Sequence, residues 1–385
     1  MLRKISLLIM LVMLVGIVMA CSAPADAPAS SDEAAAPAAE GEAAAGDTPV
    51  VGIVLPTKDE PRWIQDEARF KELLATENVP VEILFSQGDS AKEKANVESL
   101  LTKGVQVVIL TPQDGAAAAA SAQAAREAGA KVIAYDRLIL GTDAVDYYVT
   151  FDSVAVGEAQ GQYLIDKAAG SDNPLYLYAG ASSDNNAFLF FEGAWNVLQP
   201  KIADGTFVIK NSSEAVALQD KAELTRDEMA GIIGQVTTNW DFNIAKSLAE
   251  ANLTVATAAD KGDVFILAPN DGTSRSLADA FAADADVTSY VITGQDAEKA
   301  SIQYIIDGKQ SMTVLKDVRT LSADAIAAAL AYINGGTPEE TTTYNNGAID
   351  VPAKPSAVIT VDKDNVQAAI IDSGYWPAGD FTGLE

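Results

Sequence analysis

Six places in this sequence set charged or carboxamide side chains just after short runs rich in Val, Ile, Leu and Tyr. Arg62 and Trp63 follow VVGIVLP at Val50, Asp136 and Arg137 follow KVIAY, and Asp184, Asn185 and Asn186 follow LYLYAGASS. Asn270 and Asp271 follow VFILAP, Asp296 follows VITGQ, and Lys316 follows SMTVL. Carboxylates accept hydrogen bonds, carboxamides donate and accept, and guanidinium and ammonium groups only donate. That mixture fits a neutral polyhydroxyl ligand, whose hydroxyls each donate one bond and accept others. Trp63 and Trp240 add flat apolar faces suited to the C–H-bearing faces of a sugar ring. A phosphate or carboxylate ligand would need a surplus of cations or a Gly-rich loop.

Each of these residues also has a local reading. Asp136 and Asp184 could be helix N-caps, and Asn270-Asp271-Gly272 is an ordinary turn signal. Trp240 could be a core side chain, and Asp136-Arg137 a local ion pair of little consequence. What joins the six places is position, because ligands of open α/β sheets bind outside the carboxyl ends of the strands.

Composition narrows the chemistry. The 385 residues include 26 Lys and Arg against 54 Asp and Glu, for a net charge of -28. A chain this acidic has no electrostatic footprint for nucleic acid. It contains no histidine, so the commonest general base and metal ligand is missing. Lys, Asp or Glu could still move protons, but no catalytic residue, metal or cofactor is assigned, and an enzyme is not expected. PTKDEPRW follows the first strand where a dinucleotide enzyme would carry G-x-G-x-x-G.

The elements that must position these residues follow from the same pattern. The runs at Val50, Val81, Val105, Lys131, Pro174, Asp263 and Ser289 show little polar alternation, as expected of parallel strands buried on both faces. Helical stretches lie between them at 62–75, 91–103 and 115–128, with Gly104 and Gly129 at two of the C-terminal ends. Strand and helix in alternation predict βαβ units and an α/β fold. Some 335 residues of such sequence are too many for one core, so two domains are expected.

The N-terminus reads differently. Arg3 and Lys4 precede an apolar stretch from Leu7 to Ala20, the length and flank of a signal-peptide core (residues 1–20) rather than of a membrane span. The stretch ends in Cys21, the single cysteine of the chain, and Val18-Met19-Ala20-Cys21 resembles a bacterial lipoprotein processing site. Residues 22–48, almost wholly Ala, Pro, Ser, Gly, Asp and Glu, offer nothing large to bury and predict a disordered tether. A lipidated Cys21, an extracytoplasmic location and no internal disulfide are expected.

PRWIQD, VQVVILTPQDG, KVIAYDRLI, YYVTFDSVAVGEAQ and SSDNNAFLFFEGAWNVLQP resemble the type I periplasmic sugar-binding proteins of ABC importers, above all the xylose-binding and multiple-aldose-binding members. NDGTSRS, ITGQDAEKASIQYIIDGKQSMTVLKD and YNNGAIDVP continue the likeness in the same order. The resemblance implies a clamshell of two similar Rossmann-like lobes joined by a multi-strand hinge, with one aldose in the cleft. It implies a first lobe of 49–149 plus 297–346 and a second of 150–296 plus 347–385, with crossings near Tyr148–Thr150, Asp296 and Asn346–Pro352. It also implies sugar-binding roles for Arg62, Trp63, Asp136, Arg137, Asp184, Asn186, Trp240, Asn270, Asp296 and Lys316. The expected partner is an ABC permease, or a chemoreceptor or sensor kinase if the liganded form signals; a monomer is expected.

Overall fold

The early apolar runs form a parallel sheet. The computed structural model describes residues 50–384, so the expected signal peptide, Cys21 and the expected tether lie outside the described residues. In chain order come β1 (Val51–Leu55), α1 (Pro61–Thr76), β2 (Val81–Phe85), α2 (Ser90–Thr102), β3 (Val107–Leu110), α3 (Ala119–Glu127), β4 (Lys131–Tyr135) and β5 (Tyr147–Phe151). The five strands pair in parallel in the order β5-β4-β3-β1-β2. Val51, Ile53 and Leu55 of β1 cluster with Phe70 and Leu74 of α1, while Val54 clusters with Val97 and Leu100 of α2. A strand covered on both faces has no solvent side, which is why these runs lack polar alternation.

The chain leaves this sheet at Asp152, whose carboxylate caps α4 (Ser153–Lys167) by accepting from the Ala155 N–H. A second lobe follows: β6 (Asn173–Leu177), α5 (Asn185–Ala203), β7 (Phe207–Ile209), α6 (Ser213–Ala217), α7 (Arg226–Val236), α8 (Phe242–Val255), β8 (Gly262–Leu267), α9 (Asp271–Ala283) and β9 (Val287–Ile292). Its parallel sheet runs β7-β6-β8-β9. Helices α4 and α5 approach at two glycines. A Cβ at Gly157 would lie 1.9 Å from the Phe190 carbonyl oxygen, and one at Gly193 would lie 2.0 Å from that of Val154. Only glycine permits so close a crossing.

The remaining elements are α10 (Lys299–Ile306), β10 (Met312–Leu315), α11 (Val318–Ile333), β11 (Thr342–Asn345), β12 (Asp350–Ser356) and β13 (Ile359–Asp362). They carry the α/β fold of two Rossmann-like lobes to completion, but they correct two of the expected crossings. The chain does not return to the first lobe near Asp296. It stays in the second lobe through β10, because Met312 and Val314 bury against Val156, Ala187 and Phe190, and Val314 bridges to Gln295. The return falls at Lys316, after which α11 buries Leu321 and Ala325 against the first sheet. Nor does the last crossing lie near Asn346–Pro352. β12 pairs in parallel with β5 and antiparallel with β11, and its Val351 and Ala353 join the first-lobe core. Only after Ser356 does the chain pass back, to pair β13 antiparallel with β10. The first lobe is therefore 50–151 plus 318–356, and the second is 153–315 plus 359–384.

Candidate ligand-binding site

All ten residues expected to bind the ligand line one chamber between the two lobes, and all are buried. The first lobe contributes Arg62, Trp63, Asp136 and Arg137 from the ends of β1 and β4. The second contributes Asp184, Asn186, Trp240, Asn270 and Asp296, and Lys316 stands on the crossing itself. Pro61 at the first position of α1 presets the helical start that places Arg62 and Trp63.

Arg62 is the centre of the charge network. Its Nε donates to Asp66 Oδ2 at 2.7 Å, one Nη donates to Asp136 Oδ2 at 2.9 Å, and the other donates to Asp296 Oδ1 at 3.3 Å. The last of these spans the lobes. Burial alone would lower the Arg62 pKa, but Asp66, Asp136 and Asp296 outweigh it and hold the guanidinium firmly charged. Tyr135 donates its hydroxyl to Asp66 and so steadies the carboxylate that orients Arg62.

Asp136 has a left-handed backbone with φ 61°, fixed by three donors to its carbonyl: Tyr148, Thr150 and the Asn186 amide. Burial would raise its pKa, yet Lys316, Arg62 and Arg137 bring it down to about 2. Lys316 Nζ lies 3.0 Å from Asp296 Oδ1 and 3.7 Å from Asp136 Oδ2. Arg137 pairs across the lobes with Asp184 at 3.0 Å. Burial raises the Asp184 pKa even so.

The local readings and the site readings coexist in two residues. Asp184 caps α5 by accepting from the Asn186 N–H and also meets Arg137. Asn270 caps α9 by accepting from the Thr273 N–H and also faces the chamber. Trp63 belongs to the first-lobe core cluster, and the guanidinium carbons of Arg62 and Arg137 lie 4.9 and 5.2 Å from its ring centroid. Trp240 has φ 61°, stands edge-on to Phe190, and rests on Gly180, where any Cβ would come within 2.0 Å of its ring. Residues 211–236, which match the resemblance poorly, hold α6 and α7 over the second sheet and lead directly into that Trp.

Three lining residues escape the sequence reading: Glu60, Phe190 and Gln295. Phe190 lies inside the apolar run AFLFF and looks like any core aromatic. Gln295 immediately precedes Asp296 and Glu60 lies two residues before Arg62, and that proximity was the available signal. Burial, opposed by Arg137, pushes the Glu60 carboxyl up to about 7. Gln295 Nε2 donates to the Pro269 carbonyl, whereas its Oε1, like Trp240 Nε1, is buried without a partner among the described residues. Such orphaned polar atoms need a ligand or water partner.

The wall thus holds three cations, Arg62, Arg137 and Lys316, against four carboxylates, Glu60, Asp136, Asp184 and Asp296. Each cation is already matched by a carboxylate, so the chamber offers hydrogen bonds without surplus positive charge. The side chains close to a free volume of about 20 Å3, room for about one water.

Residues 51–337 match the family model described as a periplasmic binding protein domain. The chain belongs to that family. Among periplasmic binding proteins it is 34% identical over 346 residues to the multiple sugar-binding periplasmic protein of Azospirillum brasilense, covering 88% of this chain and 92% of the relative. A carbohydrate transporter solute binding protein from Chloroflexus aurantiacus, crystallised in complex with D-glucose, is 74% identical, with a TM-score of 0.86. The match covers 88% of this chain and 99% of that one. An ABC transporter solute binding protein from Clostridium phytofermentans with bound β-D-glucose is 30% identical, with a TM-score of 0.76, over 86% of this chain and 99% of the other.

Proposed function

We propose that this chain is an extracytoplasmic receptor that closes its lobes on one neutral aldose and delivers it to an ABC permease. The observation that carries the reading is the chamber itself, in which charges are paired and carboxylate, carboxamide and cationic groups from both lobes face one space. Asp136, Asn186, Asn270, Gln295 and Asp296 supply acceptors, Arg62, Arg137 and Lys316 supply donors, and Trp240 covers one face of the ring. The glucose-bound proteins to which the chain is similar support an aldohexose of the glucose type as readily as the xylose that the sequence motifs suggest.

The small free volume means that the lobes must part for a ring to enter, with the Arg62–Asp296 and Arg137–Asp184 contacts separating. A sugar that touches both walls then favours the closed form by its contacts with the second wall. A lipidated Cys21 would hold the receptor at the membrane surface, near its permease.

The test is a thermal-shift screen against D-glucose, D-xylose, D-galactose and L-arabinose, followed by calorimetry. A ligand at 100 times its dissociation constant stabilises the fold by about 2.7 kcal/mol, a shift easily read. Failure of all four sugars to stabilise the protein would overturn the reading. Replacing Cys21 with Ser tests the anchor separately, with the protein moving from the membrane fraction to the soluble one.

A further inference from the structure

The chamber just described is not the only space between the lobes. A second one, with a volume of about 460 Å3, opens beside it and shares two wall residues with it, Glu60 and Trp240. The first lobe adds Gln87 and Gln113 to its wall, and the second adds Phe242 and Asn243. We propose that this outer chamber is a second sugar subsite, so that the receptor takes neutral disaccharides as well as monosaccharides. One ring would lie in the inner chamber, and the glycosidic bond would pass between Glu60 and Trp240. The inference rests on the aldose reading of the inner chamber and extends it.

Four observations carry it. The volume of the outer chamber lies within the usual range of small-molecule sites, about 300–1,000 Å3. Its walls repeat the polar chemistry of the inner chamber without its cations, with the carboxylates of Asp59, Glu60 and Asp241 beside the carboxamides. The carboxamides of Gln87, Gln113 and Asn243 make no hydrogen bond among the described residues, and each presents a donor and an acceptor to the space. Trp240 and Phe242 give it an aromatic side, and Trp240 is the same ring that bounds the inner chamber.

The backbone adds the fourth. Gln87 has φ 56° and Asn239 has φ 51°, left-handed values that are uncommon outside glycine. Both residues line the outer chamber and neither lines the inner one. Gln87, a residue type that seldom takes this conformation, turns the chain between β2 and α2 beside the outer chamber. Glu60, half-buried between the two spaces and pushed up to about 7 by burial, can meet a bridging or neighbouring hydroxyl as donor or acceptor at neutral pH.

Calorimetric titration of the full folded chain with D-glucose, cellobiose, maltose, gentiobiose and melibiose tests this. At least one disaccharide is expected to bind within about tenfold of glucose. The double variant Gln113→Ala, Asn243→Ala is expected to weaken that disaccharide by roughly tenfold, the scale of one or two lost hydrogen bonds, while glucose binding stays unchanged. Glucose binding with every disaccharide silent would overturn the second subsite and leave the aldose receptor standing. Equal loss of glucose and disaccharide in the double variant would also overturn it. Silence of glucose and disaccharides together would strike the proposed function itself, and the subsite with it.

Discussion

Asp136 and Asp271 are two buried aspartates, one on the chamber wall and one in the layer behind it, and their surroundings drive them in opposite directions. Asp136, on the chamber wall, faces Lys316, Arg62 and Arg137 and falls to about 2 despite burial. Asp271, one layer behind at the start of α9, accepts from Gln310 Nε2 at 2.8 Å and from the Glu298 N–H at 2.9 Å. Burial first, then Glu298 and Asp296, hold it well above the usual carboxylate range, and Arg275 does not compensate. Arg275 is already engaged, 2.7 Å from Glu298 Oε2. Burial is equal at the two sites; the supply of cations is not. At the chamber wall the cations keep Asp136 ionised as an acceptor for hydroxyls, while the layer behind favours a protonated carboxyl at Asp271.

Breaking the charged side of this pair should have the largest effect. Asp136→Asn keeps the volume but removes an ionised acceptor shared by Arg62 and Lys316. Sugar affinity should fall about 100-fold, the scale of a hydrogen bond to a charged group, with an unchanged far-ultraviolet circular dichroism spectrum. Affinity within a factor of three of wild type by calorimetry would remove Asp136 from the site.

Acid unfolding probes the same carboxylate. A folded value of about 2 against an ordinary 3.8 means that Asp136 contributes stability in full above about pH 4 and loses it as the pH falls towards 2. The contribution is about 2 kcal/mol. Urea unfolding between pH 2 and 5 should show this limb in the wild type and a shallower one in Asp136→Asn.

Asp271 has the opposite sign. With its folded value raised, it costs stability as pH rises above the unfolded carboxylate value, with a slope of at most about 1.4 kcal/mol per pH unit. Glu60 and Glu93, each pushed up to about 7 by burial, add slope of the same sign up to that pH. Asp271→Asn should therefore flatten the decline between pH 5 and 8 without abolishing it, and an unchanged slope would contradict the protonated reading. The smallest effect expected is on binding. Asp271→Asn should leave sugar affinity within about threefold of wild type, because the residue faces the layer behind the chamber and its loss removes no wall contact.

The comparison also shows what could be read from the sequence. Asp136 and eight other wall residues were legible because parallel strands deliver their C-terminal ends to one edge, so apolar runs followed by polar groups mark a shared place, whereas Trp240 follows no such run. Asp271 stood in the same motif as Asn270, and nothing in the letters tells which of two neighbours faces a cavity. Phe190 was hidden because an aromatic residue inside an apolar helix has the same pattern whether it packs in a core or closes a chamber. The strand ends fixed the site but not the crossings. SMTVL reads as a strand wherever it lies, and its pairing with β13, more than forty residues later, is a non-local contact that periodicity does not encode. The same holds for β12, whose partner β5 lies some two hundred residues earlier.

The most direct measurement is a crystal structure of the chain grown with D-glucose. The account predicts one pyranose between the lobes, with hydroxyls within hydrogen-bond distance of Asp136, Asn186, Asn270 and Gln295 and with a face against Trp240. Glucose bound away from these residues, or density in neither chamber at saturating sugar, would contradict it.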